Sequence, residues 1–260
     1  LALWDRERRR LLLARDRFGI KPLYYTRVGN TVLFGSEIKA LIAHGAYRSK
    51  MDLEGLYEYF TFQNFFTERT LFGDVNLLAP GCHLTIDMGA GRMQPPVRYW
   101  DYDFREPDTR VSEDEYLEEL DRLFEQAVTR QLVSDVDLGS YLSGGMDSGS
   151  ITAVAGRQIE NLKSFTCGFD LHSASGLELS FDERETAEHM SWLFGTEHYE
   201  MVLKAGDMQR VMPRLAWHLE EPRVGQCYPN FYVAQLASKF VKVVLSGAGG
   251  DELFGGYPWR

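Results

Sequence analysis

The chain has 260 residues, 44% of them hydrophobic and 25% charged, which is the balance of a folded globular protein rather than a disordered one. Such a length allows one large domain or two modest ones. Lys and Arg number 28 against 38 Asp and Glu, for a net charge of −10. An acidic surface repels phosphate backbones and anionic lipid, so neither a nucleic-acid nor a membrane partner is expected.

Three cysteines, Cys82, Cys167 and Cys227, are dispersed and odd in number, and no CxxC occurs. This is neither a disulfide framework nor a structural zinc site, and it favours a reducing, cytoplasmic setting. No apolar run reaches the roughly 18 residues of a membrane-spanning helix, and no signal peptide is expected. Leu1 lies inside an apolar stretch, and the last residues follow directly on a glycine-rich motif. Natural termini are usually polar and loosely held, so an internal piece of a longer protein is expected.

In chain order, residues 1–4 and 11–15 are short apolar runs separated by the charged turn at 5–10. Residues 23–28 and 31–34 flank Gly29-Asn30, a two-residue hairpin signal. Ser36 reads as the N-cap of a short helix over 37–42, and 52–62 as a second helix. Residues 70–99 are broken by Gly and Pro, with a strand expected at 82–86. Pro95-Pro96 and the polar stretch after it suggest a linker at 101–111 between domains at 1–100 and 112–260. Ser112-Glu-Asp-Glu115 has the capping-box pattern, and helical spacing of apolar residues runs from Tyr116 to about Leu132. Strands expected at 136–142, 162–169, 198–203 and 241–245 then alternate with helices at 148–158, 181–194, 207–218 and 231–240. The last strand, VKVVL, reads as a buried parallel strand. Such alternation predicts α/β architecture with a doubly wound parallel sheet.

Two motifs carry the chemistry. Ser143-Gly-Gly-Met-Asp-Ser148 follows a strand and opens a helix. A glycine-rich turn there lets backbone amides approach an anion, and the helix N-terminus adds partial positive charge. Ser143 and Ser148 can donate hydroxyl hydrogen bonds, while Asp147 can hold Mg2+ that bridges phosphate oxygens. No Walker A pattern is present. Ser246-Gly-Ala-Gly-Gly-Asp-Glu252 also follows a strand and supplies Asp251 and Glu252, with Asp251 the better metal candidate. Together the two loops point to a nucleoside triphosphate held with Mg2+.

These residues resemble a known family. SGGMDS is similar to the pyrophosphate loop of ATP-pyrophosphatases, and with LSGAGGDELFGGY it resembles the synthetase domain of glutamine-dependent asparagine synthetases. RDRFGIKPLYY at 15–25 and GSEIKAL at 35–41 resemble the later half of that family's glutaminase domain. The resemblance implies a partial α+β glutaminase domain of the N-terminal-nucleophile type, followed by an ATP-pyrophosphatase domain. It implies ATP and Mg2+ as cofactors, with aspartate and glutamine as the other substrates. Aspartate's side-chain carboxylate would be adenylated, and glutamine-derived ammonia would displace AMP, giving asparagine, AMP and pyrophosphate. By this resemblance Leu142, Ser143, Gly144, Gly145, Asp147, Ser148, Cys167, Ser246 and Gly247 bind ATP, and Asp147 and Asp251 hold the metal. A homodimer stays open.

Departures from the family pattern bear on the reading. The family's glutaminase cysteine would precede Leu1, so this stretch is not expected to hydrolyse glutamine. Cys82 reads as strand core, Cys167 as part of the nucleotide strand and Cys227 as a loop residue. Many members have an acidic residue where Ala248 stands, and the family's catalytic lysine would follow Arg260. Residues 220–229, EEPRVGQCYP, match the aspartate-recognising stretch only loosely. The alternatives are a related amidotransferase or β-lactam-type synthetase acting on another carboxylate, and a catalytically degenerate nucleotide-binding domain. His189 and His198 lack metal-ligand spacing, and Arg6–Arg10 reads as a solvated turn. Phe181-Asp-Glu-Arg184 reads as a solvated helix start, and Trp4, Trp100, Trp192 and Trp217 as core or interface residues.

Overall fold

The computed structural model describes residues 1–170, 172, 182–223 and 227–256. They form two compact units, one of Leu1–Glu106 with Ala216–Val224, the other of Pro107–Leu215 with Gly225–Arg260.

In the first unit, β1 (Ala2–Asp5) and β2 (Arg10–Ala14) form a hairpin around the charged turn. β3 (Tyr24–Val28) and β4 (Thr31–Gly35) pair antiparallel across Gly29-Asn30. Next come α1 (Ile38–Ile42), α2 (Leu53–Phe62), β5 (Asn76–Leu77), β6 (Cys82–Asp87), β7 (Arg92–Met93) and β8 (Val97–Arg98). One sheet runs β1-β2-β6-β7, with β8 also on β6, and the other runs β4-β3-β5.

Strand alternation sends Tyr25 into a core with Leu13, Leu84 and Ile86 of the first sheet, and its neighbour Tyr24 into a second core with Ile38 and Leu41 of α1. The result is three layers: sheet, sheet and helix. Cys82 is buried in the first core, as expected of a strand residue.

Ser36 does not cap α1. Glu37 occupies the cap position with no side-chain bond. The Glu220 carboxylate accepts the Ile38 and Lys39 amides instead, at 2.7 and 2.6 Å, and pairs with the Lys39 ammonium at 2.9 Å. A carboxylate beats a hydroxyl here because it satisfies two orphan amides at the positive end of the helix.

The second unit begins with α3 (Glu113–Gln131), where Ser112 and Glu115 complete the capping box. β9 (Leu138–Tyr141), α4 (Met146–Gly156), β10 (Lys163–Phe169), α5 (Arg184–Phe194) and β11 (Glu197–Leu203) follow. α6 (Asp207–Leu219), α7 (Cys227–Ala237), β12 (Val243–Leu245) and α8 (Gly250–Phe254) complete the described elements.

All pairings in this sheet are parallel, in the order β11-β10-β9-β12. Strand order therefore reverses between β9 and β12, which opens a crevice at their carboxyl ends. One face packs α3 and α4 through Val128, Val154, Ala155 and Leu162. The other packs α7 through Phe165, Val233, Ala237 and Val241. Helices on both faces make the sheet doubly wound.

Several expected details change. β12 is parallel but not buried: it pairs only with β9 among the described strands, and Val243 is 43% exposed. α4 starts two residues earlier than expected, with Gly145 as N-cap, so Asp147 and Ser148 lie in its first turn. α7 also starts early, at Cys227, which is a helical residue rather than a loop one. Pro229 is tolerated because the first-turn amides of a helix have no intrahelical acceptor to lose.

On α3 only Phe124, Val128 and the following Leu132 join a core, while Tyr116, Leu117, Leu120 and Leu123 are exposed. Trp4, Trp192 and Trp217 are exposed rather than core residues. Phe181 of the expected fifth helix, residues 224–226 of the EEPRVGQCYP stretch and Tyr257 of the second glycine motif lie outside the described residues.

Candidate functional site

The loop after β9 holds its shape through its own hydroxyls. The buried Leu142 donates its amide to the Phe165 carbonyl at 2.9 Å, which ties the loop's entry to β10. Ser143 then donates its amide to Ser148 Oγ at 3.1 Å, and the two hydroxyls lie 2.8 Å apart. The Gly145 amide donates to Ser143 Oγ at 3.2 Å, and Ser148 Oγ reaches the Gly145 carbonyl at 3.2 Å. Asp147 is the second residue of α4, beside the positive helix end.

The loop after β12 lies directly against the first. The Asp251 amide donates to Asp147 Oδ2 at 3.1 Å, across 104 residues of sequence. Two glycines allow this approach. A Cβ on Gly247 would sit 2.8 Å from the Ser148 amide nitrogen and 3.0 Å from Asp147 Cβ, and a Cβ on Gly250 would overlap the Asp147 carboxylate. Within this loop the Ala248 amide donates to Ser246 Oγ at 3.3 Å, and the Gly249 amide to Glu252 Oε2 at 2.9 Å.

Both loops face a cleft of ≈ 470 Å³, within the usual range for a small-molecule site. Of the residues expected from sequence, Leu142, Ser143, Gly145, Asp147, Ser148, Cys167, Ser246, Gly247 and Asp251 line it. Gly144 does not: it packs against Thr186 and Glu183. Tyr141, Phe165, Thr166, Phe169, Pro229, Asn230 and Val233, which no sequence motif singles out, form the opposite wall. Tyr141 and Phe169 end their strands, Pro229 and Asn230 lie in the first turn of α7, and Phe165, Thr166 and Val233 sit mid-element, so no local pattern marks them as cleft residues. Burial pushes the Cys167 thiol up to about 12, so this wall presents a neutral thiol.

The FDER stretch divides. Asp182 is part-buried and paired with Arg184 at 2.7 Å; hydrogen bonds from that guanidinium hold its carboxyl below the ordinary range. Glu183 is exposed at the N-cap of α5, as expected of a solvated helix start, and also lines the cleft.

No Lys, Arg or His occurs among the described lining residues. An anion in this cleft would meet amides and hydroxyls of these residues rather than a side-chain cation. The donor set fits Mg2+, which uses one or two carboxylates and takes its other ligands from phosphate and water. Asp147, with Oδ1 not engaged by the Asp251 amide, and Asp251 are the carboxylates so placed. Among the described residues no group of three or more His, Cys, Asp or Glu is arranged to hold a metal. That separates this site from an all-protein metal cage. His198 contacts Ser164 Oγ through Nδ1 at 2.8 Å.

No helix among the described residues is long and apolar enough to cross a membrane. A family model described as asparagine synthase matches residues 119–260, and one described as glutamine amidotransferase domain matches residues 1–100. The chain is 34% identical to asparagine synthetase (glutamine-hydrolyzing) 3 of Bacillus subtilis (strain 168), over 99% of this chain and 43% of that protein. It is 34% identical to a putative asparagine synthetase (glutamine-hydrolyzing) of Mycobacterium tuberculosis (strain ATCC 25618 / H37Rv), over 98% of this chain and 39% of that one. Amidase chyE of Penicillium rubens is 31% identical over 98% of this chain and 39% of its own length. The chain thus spans about two fifths of the length of these curated relatives. With residues 119–260 matched by the asparagine synthase model, and with a parallel sheet whose glycine loops meet at its switch point, the chain belongs to the asparagine synthase family.

Proposed function

We propose that residues 112–260 bind Mg-ATP for an amide-forming ligase, and that residues 1–100 belong to its glutamine-hydrolysing domain, with 101–111 as linker. The reaction is adenylation of the aspartate side-chain carboxylate with release of pyrophosphate, followed by displacement of AMP by glutamine-derived ammonia. A carboxylate is a poor electrophile, and the acyl-phosphate bond to AMP makes it a good one.

The observation that carries the reading is the Asp147–Asp251 contact, which puts two glycine loops on one cleft. Within it the Gly145 and Ser148 region offers hydroxyls and a helix N-terminus to phosphate oxygens. Asp147 and Asp251 would hold Mg2+, which neutralises charge on the departing pyrophosphate. Leu142, Cys167 and the apolar wall would exclude water from the base and sugar. The three dispersed cysteines, odd in number, fit a reducing cytoplasm as the setting.

The test is ATP–pyrophosphate exchange by the full-length protein. Exchange that depends on aspartate is expected, and its absence with every carboxylic acid tried removes the ligase reading.

A second reading keeps the adenylation and changes the acceptor. Ala248 lines the cleft where many family members have an acid, and one relative is named an amidase. Exchange measured across a panel of carboxylic acids separates the two readings, because another acid would then exceed aspartate.

A further inference from the structure

We infer that Thr152 and Ser140 are positioning residues for the nucleotide loop, acting on it through Ser148. This rests on the Mg-ATP reading above and extends it to two residues that do not line the cleft.

Thr152 and Ser140 are both fully buried, on α4 and β9. Thr152 Oγ1 donates to the Ser148 carbonyl at 2.7 Å. Its single proton is thereby used, so Ser140 Oγ–H donates to Thr152 Oγ1 across 2.8 Å. Two hydroxyls between strand and helix thus fix the backbone of Ser148.

Ser148 is the residue on which both loops depend. Its side chain binds the Ser143 amide and hydroxyl, and its backbone nitrogen is the closest neighbour that a Cβ on Gly247 would meet. A shift of the first turn of α4 therefore moves the anchor of the first loop and the surface on which the second one rests. Buried polar pairs of this kind cost desolvation, and apolar packing alone would hold a strand to a helix as well. What the hydroxyls add is direction: they select one rotation of the helix start relative to β9.

Thr152→Val is a clean probe because it keeps the shape. The Ser148 carbonyl retains its helical amide, and Ser140 Oγ has the Tyr141 carbonyl at 3.3 Å as a fallback acceptor. The experiment measures Mg-ATP affinity by calorimetry and thermal unfolding without nucleotide, for the full-length protein and for Thr152→Val, Thr152→Ser and Ser140→Ala. Thr152→Val and Ser140→Ala are expected to weaken Mg-ATP binding about tenfold while the unfolding midpoint moves by no more than about 2 °C. Thr152→Ser, which keeps the hydroxyl, is expected to bind as the parent does.

A parent that binds Mg-ATP while Thr152→Val and Ser140→Ala bind equally well overturns the positioning role and leaves the Mg-ATP reading intact. So does a Thr152→Ser variant as weak as Thr152→Val, since the methyl group would then matter rather than the hydroxyl. Loss of affinity that only follows loss of thermal stability assigns a merely structural role and also overturns it. A parent that does not bind Mg-ATP removes the Mg-ATP reading, and this inference with it.

Discussion

The two glycine loops look alike in sequence and are held in different ways. The loop at Ser143–Ser148 is tied by its own atoms: five hydrogen-bonding contacts among Ser143, Gly145 and Ser148 close it. The loop at Ser246–Glu252 has three internal bonds, two of them at 3.3 and 3.4 Å, and takes its place by leaning on Asp147. One loop is thus preorganised by local hydroxyls, and the other is organised by contact with the first. Asp147 and Gly250 mark the join, so changes there should disturb both loops, whereas changes to each loop's own hydroxyls should be unequal.

Asp147→Ala makes the largest break. It removes a carboxylate proposed to hold Mg2+ and the acceptor of the Asp251 amide together. Mg-ATP affinity is expected to fall roughly 100-fold, and binding without the metal, which loses only the loop contact, by only about fivefold. Calorimetry with and without Mg2+ reads this directly, and an unchanged affinity would count against the metal role. Gly250→Ala should follow. Its methyl falls on the Asp147 carboxylate, and overpacking of this kind costs about 1–3 kcal/mol, so the loops part and Mg-ATP binds at least about fivefold more weakly.

The hydroxyl pair sharpens the comparison. Ser148→Ala leaves the Ser143 amide without its partner and is expected to weaken Mg-ATP binding about fivefold. Ser246→Ala removes a long, exposed loop bond and one hydroxyl from the cleft lining, and is expected to change it by less than about threefold. Equal effects from the two substitutions would erase the proposed difference between the loops.

The smallest effect lies away from the cleft and involves pH. Burial holds the His198 imidazole below its ordinary 6.5, against an opposing pull from Glu188. Its Nε2 has no hydrogen-bond partner, and the Glu200 carboxylate is 3.6 Å away. A base with a depressed folded pKa binds fewer protons folded than unfolded just below 6.5. Its contribution to stability is therefore complete above that pH and is lost as the pH falls through it. Thermal midpoints should drop from about pH 7.5 to about pH 5.5, and His198→Gln should flatten that slope. A slope that His198→Gln leaves unchanged would place the titration elsewhere.

Periodicity and turn chemistry carry most of the fold. The Gly29-Asn30 hairpin, the Ser112 capping box and the run of parallel strands are local patterns, set by backbone sterics and by which side chains recur on one face. The two cleft loops were legible for the same reason, because glycine after a strand and before a helix has few other uses. Less legible was the wall opposite them. Phe165, Phe169 and Val233 read as ordinary core residues, and only the reversal of strand order between β9 and β12 turns some of that core into a cleft.

The sequence alone determined the elements, the sheet type and the residues of both glycine loops, since those follow from contacts within a few residues. Tertiary structure alone decided the groups whose partners are remote. The amides of α1 find Glu220 across about 180 residues, and Asp147 finds the Asp251 amide across 104. An amide or a carboxylate must be satisfied once buried, but its own sequence neighbourhood does not say by what. That choice is made when strands and helices pack and bring one particular partner within 3 Å.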